Sequence, residues 1–200
     1  MDPRTVLARP GVYSLFRRLV GRDAARAVYA RQYLRLEPGQ RVLDIGCGTG
    51  DILEFLPPVR YVGYDVSQSY IERARRRFGD RGEFHCRAVD DDLPLPEGGY
   101  ELVIAHGLLH HLDDDAARTL FRVAHRALTS GGRLVTFDGC FTEDQSPAAR
   151  FFLSLDRGRH VRDRASYEAL ARTAFGQVKA SVRHDLIRLP YTHLIMECTG

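Results

Sequence analysis

Apolar residues in this chain follow two rhythms. Short unbroken clusters occur at Val42, Leu43 and Ile45, at Tyr61-Val62, at Leu102 to Ala105, and at Leu134-Val135. Short apolar clusters of this kind, bounded by turn signals, read as buried strands. Elsewhere apolar residues recur every three or four positions, the period of an amphipathic helix. Val12, Leu15, Phe16, Leu19 and Val20 form one such stripe before Gly21. Asp23 is expected to cap a second helix reaching Leu34. Asp51–Leu56 predicts a short helix stopped by Pro57-Pro58, and Tyr70, Ile71, Ala74 and Phe78 mark a longer one ending at Gly79. Leu120, Phe121, Ala124, Ala127 and Leu128 predict a helix over Asp115–Thr129. Ser146-Pro147 is an N-cap followed by proline at the first helical position, and Phe151, Phe152 and Leu155 continue that helix. Tyr167, Leu170, Ala171 and Ala174 mark the last helix. Strands are expected at Tyr61–Asp65, within Glu83–Val89, at Glu101–Ala105 and at Arg133–Asp138. An antiparallel pair is expected at Gln177–Leu186 and Tyr191–Cys198.

The chemistry concentrates in Arg41–Gly50, RVLDIGCGTG. A buried strand feeds a turn carrying Gly46, Gly48 and Gly50, where bare backbone can bend sharply and lie against a ligand. A second strand closes on Asp65, so a strand, a glycine turn, a helix and an acid-terminated strand form a nucleoside-binding half-unit, the acid holding ribose hydroxyls. The dinucleotide fingerprint is G-x-G-x-x-G with a pyrophosphate on the helix N-terminus. Here the spacing is G-x-G-x-G, with Asp44 before the turn and Asp51 after it. Carboxylates there oppose a diphosphate and favour a cation. S-adenosyl-L-methionine offers an adenosine for Asp65, a sulfonium, and an ammonium for Asp44 to face.

On these residues the chain resembles the class I S-adenosylmethionine-dependent methyltransferases: VLDIGCGTG matches their first motif and YVGYDVSQSYIERA their second. The resemblance implies a doubly wound, Rossmann-like α/β fold. Its seven-stranded sheet would be mostly parallel with an antiparallel last strand, and would carry helices on both faces. It implies one domain over 1–200, with an N-terminal helical cap (1–40), a cofactor-binding core (41–138), and substrate-side helices with the final strand pair (139–200). The cofactor would be held by Asp44, Gly46, Cys47, Gly48, Gly50, Asp65, Val66, Asp90, Asp91 and His106, and would leave as S-adenosyl-L-homocysteine. Val66 would press on the adenine. Asp91, with Asp90 next, would accept from its amino group. Tyr13, Tyr29 and Tyr33 could line the acceptor pocket, although packing is their simpler role.

The fourth strand runs into HGLLHHL, as in the family, and offers His106, His110 and His111 as candidate bases. Adjacent residues on a helix point ~100° apart, so His110 and His111 cannot both face a pocket. His160 and His193 are weaker candidates. Methyl transfer requires a base only when the acceptor is a hydroxyl or a protonated amine. Metal-ligand spacing is lacking, and Cys47, Cys86, Cys140 and Cys198 form no C-x-x-C pair, as expected of reduced thiols in a cytoplasm.

At 200 residues with 44% hydrophobic content, a single soluble domain without a membrane helix is expected. The net charge of +3 is unevenly placed. Residues 1–41 carry nine arginines against three acids, and residues 157–183 carry six arginines and Lys179 against two. A solvated basic face explains this; an anionic small-molecule acceptor is the functional alternative. Arg75-Arg76-Arg77 reads as another solvated face.

The leading reading is methyl transfer to a small molecule, on oxygen, nitrogen or carbon. Nucleic acid is a rival acceptor because of the basic flanks, but strand four lacks the Asn/Asp-Pro-Pro-aromatic turn of base N-methylation. A non-catalytic cofactor-binding protein and a nicotinamide oxidoreductase are the other rivals; the intact motifs oppose the former and the glycine spacing the latter. The oligomeric state is not encoded in any motif.

Overall fold

The computed structural model describes residues 21–155 and 158–200. The predicted helix at 12–20 and Tyr13 lie outside these residues.

At the centre of the sheet β1 (Arg41–Ile45) lies between two parallel neighbours, β2 (Arg60–Asp65) and β4 (Tyr100–His106). β3 (Gly82–Cys86) extends the β2 side and β5 (Leu128–Phe141) the β4 side, again parallel. β8 (His193–Thr199) then pairs antiparallel with both β5 and β7 (Gln177–Arg183). The order is β3-β2-β1-β4-β5-β8-β7. This is the expected seven-stranded path with its antiparallel last strand. One further two-residue strand, β6 (Arg162–Asp163), pairs with the end of β5 at Cys140–Phe141.

Two apolar clusters cover the two faces, and alternate strand residues feed them, as the pleat requires. Leu43, Ile45, Val103 and Ala105 pack with Leu120, Phe121 and Ala124 of α3 (Asp114–Ala127) and with Tyr167 and Leu170 of α5 (Arg164–Ala171). Val42, Leu102, Ile104 and Val135 pack with Tyr29 of α1 (Arg22–Tyr29) and with Ile71, Ala74 and Phe78 of α2 (Gln68–Phe78). Burial on both faces is why the central strands are nearly continuous apolar runs.

Several boundaries differ from the sequence reading. Gly21, in a left-handed conformation, is the N-cap of α1, and Asp23 lies inside the first turn, paired with Arg26 at 3.3 Å. A π-helical turn at Ala30–Leu34 prolongs α1 until Arg35 reverses the chain at φ 40°. Asp113 caps α3, its carboxylate accepting from the Ala116 N–H at 2.9 Å. α3 ends at Ala127 rather than Thr129, because Leu128 already pairs with Tyr100 as the first residue of β5.

Ser146 caps α4 (Pro147–Ser154), and Pro147 occupies the first turn as predicted. Its buried face, however, is Ala149 and Leu153; Phe151 and Leu155 are exposed. Tyr70 of α2 is likewise exposed. Nor is the arginine run merely solvated. Arg75 Nε donates to the Phe84 carbonyl at 3.0 Å, and Arg77 pairs with Asp51 at 2.7 Å and also with Glu54. No helix among the described residues is long and apolar enough to cross a membrane.

Candidate cofactor and acceptor site

Strand order reverses between β1 and β4, and ligands of open α/β sheets bind in the crevice at the carboxyl ends of the strands there. Four segments meet at this edge: the glycine turn after β1, Asp65 at the end of β2, His106 at the end of β4, and Asp138 in β5.

The turn is pinned to β2 by main-chain bonds. The Gly46 and Cys47 N–H groups both donate to the Tyr64 carbonyl, at 2.8 and 3.0 Å. Asp65 continues the clasp, Oδ2 accepting from the Gly48 N–H at 2.9 Å and Oδ1 from the Ser67 N–H at 2.8 Å. Both oxygens are thereby oriented, and each keeps lone-pair capacity for a ribose hydroxyl. Gly46 and Gly48 both have positive φ but meet different surroundings. A Cβ on Gly46 would lie 2.9 Å from Leu108 Cδ2, whereas one on Gly48 would meet nothing within 4 Å. Gly46 thus serves close packing against the β4 turn, and Gly48 leaves bare backbone facing the crevice.

Asp44 is 2% exposed; Oδ2 accepts from the Tyr61 hydroxyl at 2.6 Å, and Oδ1 has no partner among the described residues. Burial pushes its carboxyl up to about 7, against the opposing Tyr61 bond and with added repulsion from Asp65. A cation brought to Oδ1 would offset that desolvation, so the residues present fit an amino-acid nucleoside with an ammonium group. Asp51 does not share this role. Arg26 and Arg77 hold its two oxygens at 3.2 and 2.7 Å, so its charge is spent inside the fold. Of the three acids beside the turn, Asp44 and Asp65 are the two without an arginine partner among the described residues. Cys47 is buried against Gly63, and desolvation raises its thiol far beyond the ordinary range, as befits a packing residue.

Val66 stands 73% exposed directly after Asp65. Asp90 Oδ1 accepts from the Asp92 N–H at 3.1 Å and from Arg87 at 3.0 Å. Asp91, the favoured adenine partner, is gripped bidentately by Arg122 of α3 at 3.0 and 2.6 Å. That guanidinium holds its carboxyl below the usual range. The pairing engages both carboxylate oxygens of Asp91 at the α3 surface, whereas the side-chain bonds of Asp90 are on Oδ1.

The three candidate histidines separate clearly. His106 stacks on Phe137, centroids 4.5 Å apart, and meets the edge of Tyr29 at 5.1 Å. His110 and His111 share a 3-10 turn, Leu109–His111, with His110 buried and His111 exposed. His110 Nδ1 lies 2.8 Å from Asp138 Oδ1. Asp138, 2% exposed, escaped the sequence reading; its only signal was an acid closing an otherwise apolar strand. His193 also packs here, 4.7 Å from both Phe137 and Tyr191. The His160 N–H donates to the His110 carbonyl at 2.9 Å. Tyr29 is fully buried, with its hydroxyl on the Val135 carbonyl. Tyr33 is buried too and accepts from Arg183 at 3.0 Å. Among the described residues no cluster of His, Cys, Asp or Glu could hold a metal ion, and all four cysteines are free thiols.

Of the five described arginines in the basic stretch at 157–183, four have acidic partners in the chain. Arg162 pairs with Asp114, Arg164 and Arg172 with Glu168, and Arg183 with Asp185.

A family model described as a methyltransferase domain matches residues 42–132. The chain is 32% identical over 139 residues to a malonyl-[acyl-carrier protein] O-methyltransferase of Hahella chejuensis, an alignment covering 68% of this chain and 49% of that protein. It is 35% identical over 112 residues to a probable tRNA methyltransferase 9B of Homo sapiens, covering 54% of this chain and 23% of that one. The chain thus spans about half of the first relative's length and under a quarter of the second's. In fold it is similar to a TehB-like S-adenosylmethionine-dependent methyltransferase from Corynebacterium glutamicum, with a TM-score of 0.61, 15% identity and 88% of each chain covered. Motif, strand order and relatives agree that the chain belongs to the class I S-adenosylmethionine-dependent methyltransferases.

Proposed function

We propose that this protein transfers a methyl group to a small-molecule acceptor, within one domain whose residues 41–138 hold the cofactor and whose residues 139–200 face the acceptor. The observation that carries this reading is the joining of two half-sites at one sheet edge. The Asp65 clasp on Gly48 marks the cofactor side, and the His110–Asp138 pair marks the acceptor side.

S-adenosylmethionine supplies an electrophilic methyl group on a sulfonium, open to in-line attack by an acceptor lone pair. The protein's task is alignment and exclusion of water, and positioning of this kind contributes up to about 7–11 kcal/mol. In this reading Asp65 orients the ribose, Val66 and Asp90 receive the adenine, and Asp44 faces the ammonium. The open backbone at Gly48 admits the ligand, and His106 walls the methionine end. With Nδ1 committed to Asp138, His110 takes the acceptor's proton on Nε2. Of the arginines that suggested an anionic acceptor, those at 162, 164, 172 and 183 are paired within the chain, while Arg4, Arg9, Arg17, Arg18 and Arg157 lie outside the described residues.

Nucleic acid remains the second reading because of the tRNA methyltransferase relative. Calorimetry with S-adenosylhomocysteine and with NAD, followed by radiolabelled methyl transfer to metabolite pools and to bulk tRNA, tests both. Homocysteine-nucleoside binding with label in the metabolite pool is expected. Label in tRNA selects the second reading, and tight NAD binding without S-adenosylhomocysteine binding overturns both.

A further inference from the structure

The turn that carries His110 is too short to hold its own shape. Its main-chain bonds include His111 N–H to the Leu108 carbonyl at 2.9 Å and Leu112 N–H to the Leu109 carbonyl at 3.1 Å. What grips it comes from a distant part of the sequence. Arg162, in β6, has a side chain 9% exposed. Its Nη1 donates to the Leu109 carbonyl at 3.1 Å and the His160 carbonyl at 2.9 Å. Its Nη2 donates to the Leu112 carbonyl at 2.8 Å and to Asp114 Oδ1 at 2.7 Å, and Nε reaches the same oxygen at 3.0 Å. The His160 N–H takes the His110 carbonyl between these two.

Carbonyls of Leu109, His110 and Leu112 are therefore all held by residues 160–162. A planar fork with five N–H donors in fixed directions can meet these four acceptors together, one more than the three rotatable donors of an ammonium. The charge of Arg162 is matched by Asp114, so its contribution at His110 is geometric. The same turn is anchored on its other side by Leu108 against Gly46 and by the His110 N–H, 3.3 Å from Asp138 Oδ1.

We propose that Arg162 is the positioning residue of the His110–Asp138 pair: it locks the backbone on both sides of His110 so that Nδ1 stays on the Asp138 carboxylate. The proposal rests on reading His110 as the proton acceptor in methyl transfer, but its test needs no acceptor. Nitrogen-15 imidazole spectra of the full chain with S-adenosylhomocysteine bound should show His110 as one Nδ1–H tautomer with a slowly exchanging Nδ1–H proton. Arg162→Gln is expected to lose that protected resonance while keeping its affinity for S-adenosylhomocysteine by calorimetry. Arg162→Lys carries the same expectation, and serves should the glutamine variant fail to fold. Asp114→Asn should keep the resonance. Persistence of the signal in both Arg162 variants overturns the proposal. So does its full recovery in Arg162→Lys, which would reduce the role to charge, or a parallel loss of cofactor affinity, which would reduce it to general folding. Should the tautomer respond as expected while His110→Ala leaves turnover unchanged, the base assignment falls and the clamp stands.

Discussion

His110 and Asp138, 28 positions apart, meet twice: Nδ1 lies 2.8 Å and the main-chain nitrogen 3.3 Å from the same carboxylate oxygen. One acid thus fixes both the backbone of the β4 turn and the tautomer of the imidazole on it. A histidine whose Nδ1–H donates to a carboxylate carries its lone pair on Nε2, the tautomer that the proposed role of His110 requires.

Removing that base should act on rate. His110→Ala is expected to lower kcat by about 10²–10⁴-fold, the usual span for general-base catalysis. S-adenosylhomocysteine affinity should change little. Asp138→Asn should lower kcat less, because the imidazole remains but its tautomer is no longer fixed. Steady-state kinetics at saturating cofactor measure both. An unaltered kcat in His110→Ala removes this residue from the chemistry.

Asp44 makes binding and stability depend on pH in opposite senses. Its carboxyl lies near 7 in the free fold against 3.8 in an ordinary environment, so between those values the folded state holds more protons than the unfolded one. Stability contributed by this group is then fully present below about pH 4 and declines as pH rises towards 7, by at most about 1.4 kcal/mol per pH unit. An ammonium at Asp44 favours the ionised form, so cofactor binding should release protons and tighten from pH 6 to 8. Titration calorimetry in buffers of different ionisation enthalpy reads the proton release. In Asp44→Asn the release should vanish and affinity fall by roughly tenfold or more, the worth of a charge-assisted hydrogen bond.

Gly46 and Gly48 should separate packing from binding. Gly46→Ala meets both a left-handed backbone and Leu108, so thermal unfolding should show a loss of more than about 1 kcal/mol. Gly48→Ala meets the backbone cost alone, about 1–2 kcal/mol at most, and should weaken S-adenosylhomocysteine binding more than its stability loss explains. Equal behaviour of the two would contradict the open face assigned to Gly48.

The aspartates before Leu93 provide a third contrast. Asp91→Ala breaks an exposed pair with Arg122, a kind of contact worth about 0–1 kcal/mol, and should leave cofactor affinity intact. Asp90→Ala is expected to weaken it. A larger affinity loss from Asp91→Ala would restore Asp91 as the adenine partner.

The seven-stranded sheet came from the family resemblance, whereas strand-and-helix order and the position of the glycine turn were legible in the residues. They depend on local rhythm: unbroken apolar runs for strands buried on both faces, three-and-four spacing for helices, and glycine where the backbone turns left-handed. Helix ends were less legible. Leu128 has the spacing of a helix residue, yet Tyr100, 28 positions earlier, recruits it into β5. Phe151 and Leu155 look like a core stripe, and only packing showed that α4 buries Ala149 and Leu153 instead.

Which of the acids near the crevice are tied up in ion pairs was decided by tertiary structure. Asp44 and Asp51 are equivalent acids when read beside the glycine turn, but Arg26 and Arg77 neutralise Asp51 while burial leaves Asp44 one oxygen without a partner among the described residues. Asp91 was separated from Asp90 by Arg122, and His110 from His106 and His111 by Asp138. The local code records which groups are chemically able to act. Long-range contacts bring together residues far apart along the chain, and they settle which of those groups are consumed in holding the fold and which face the crevice.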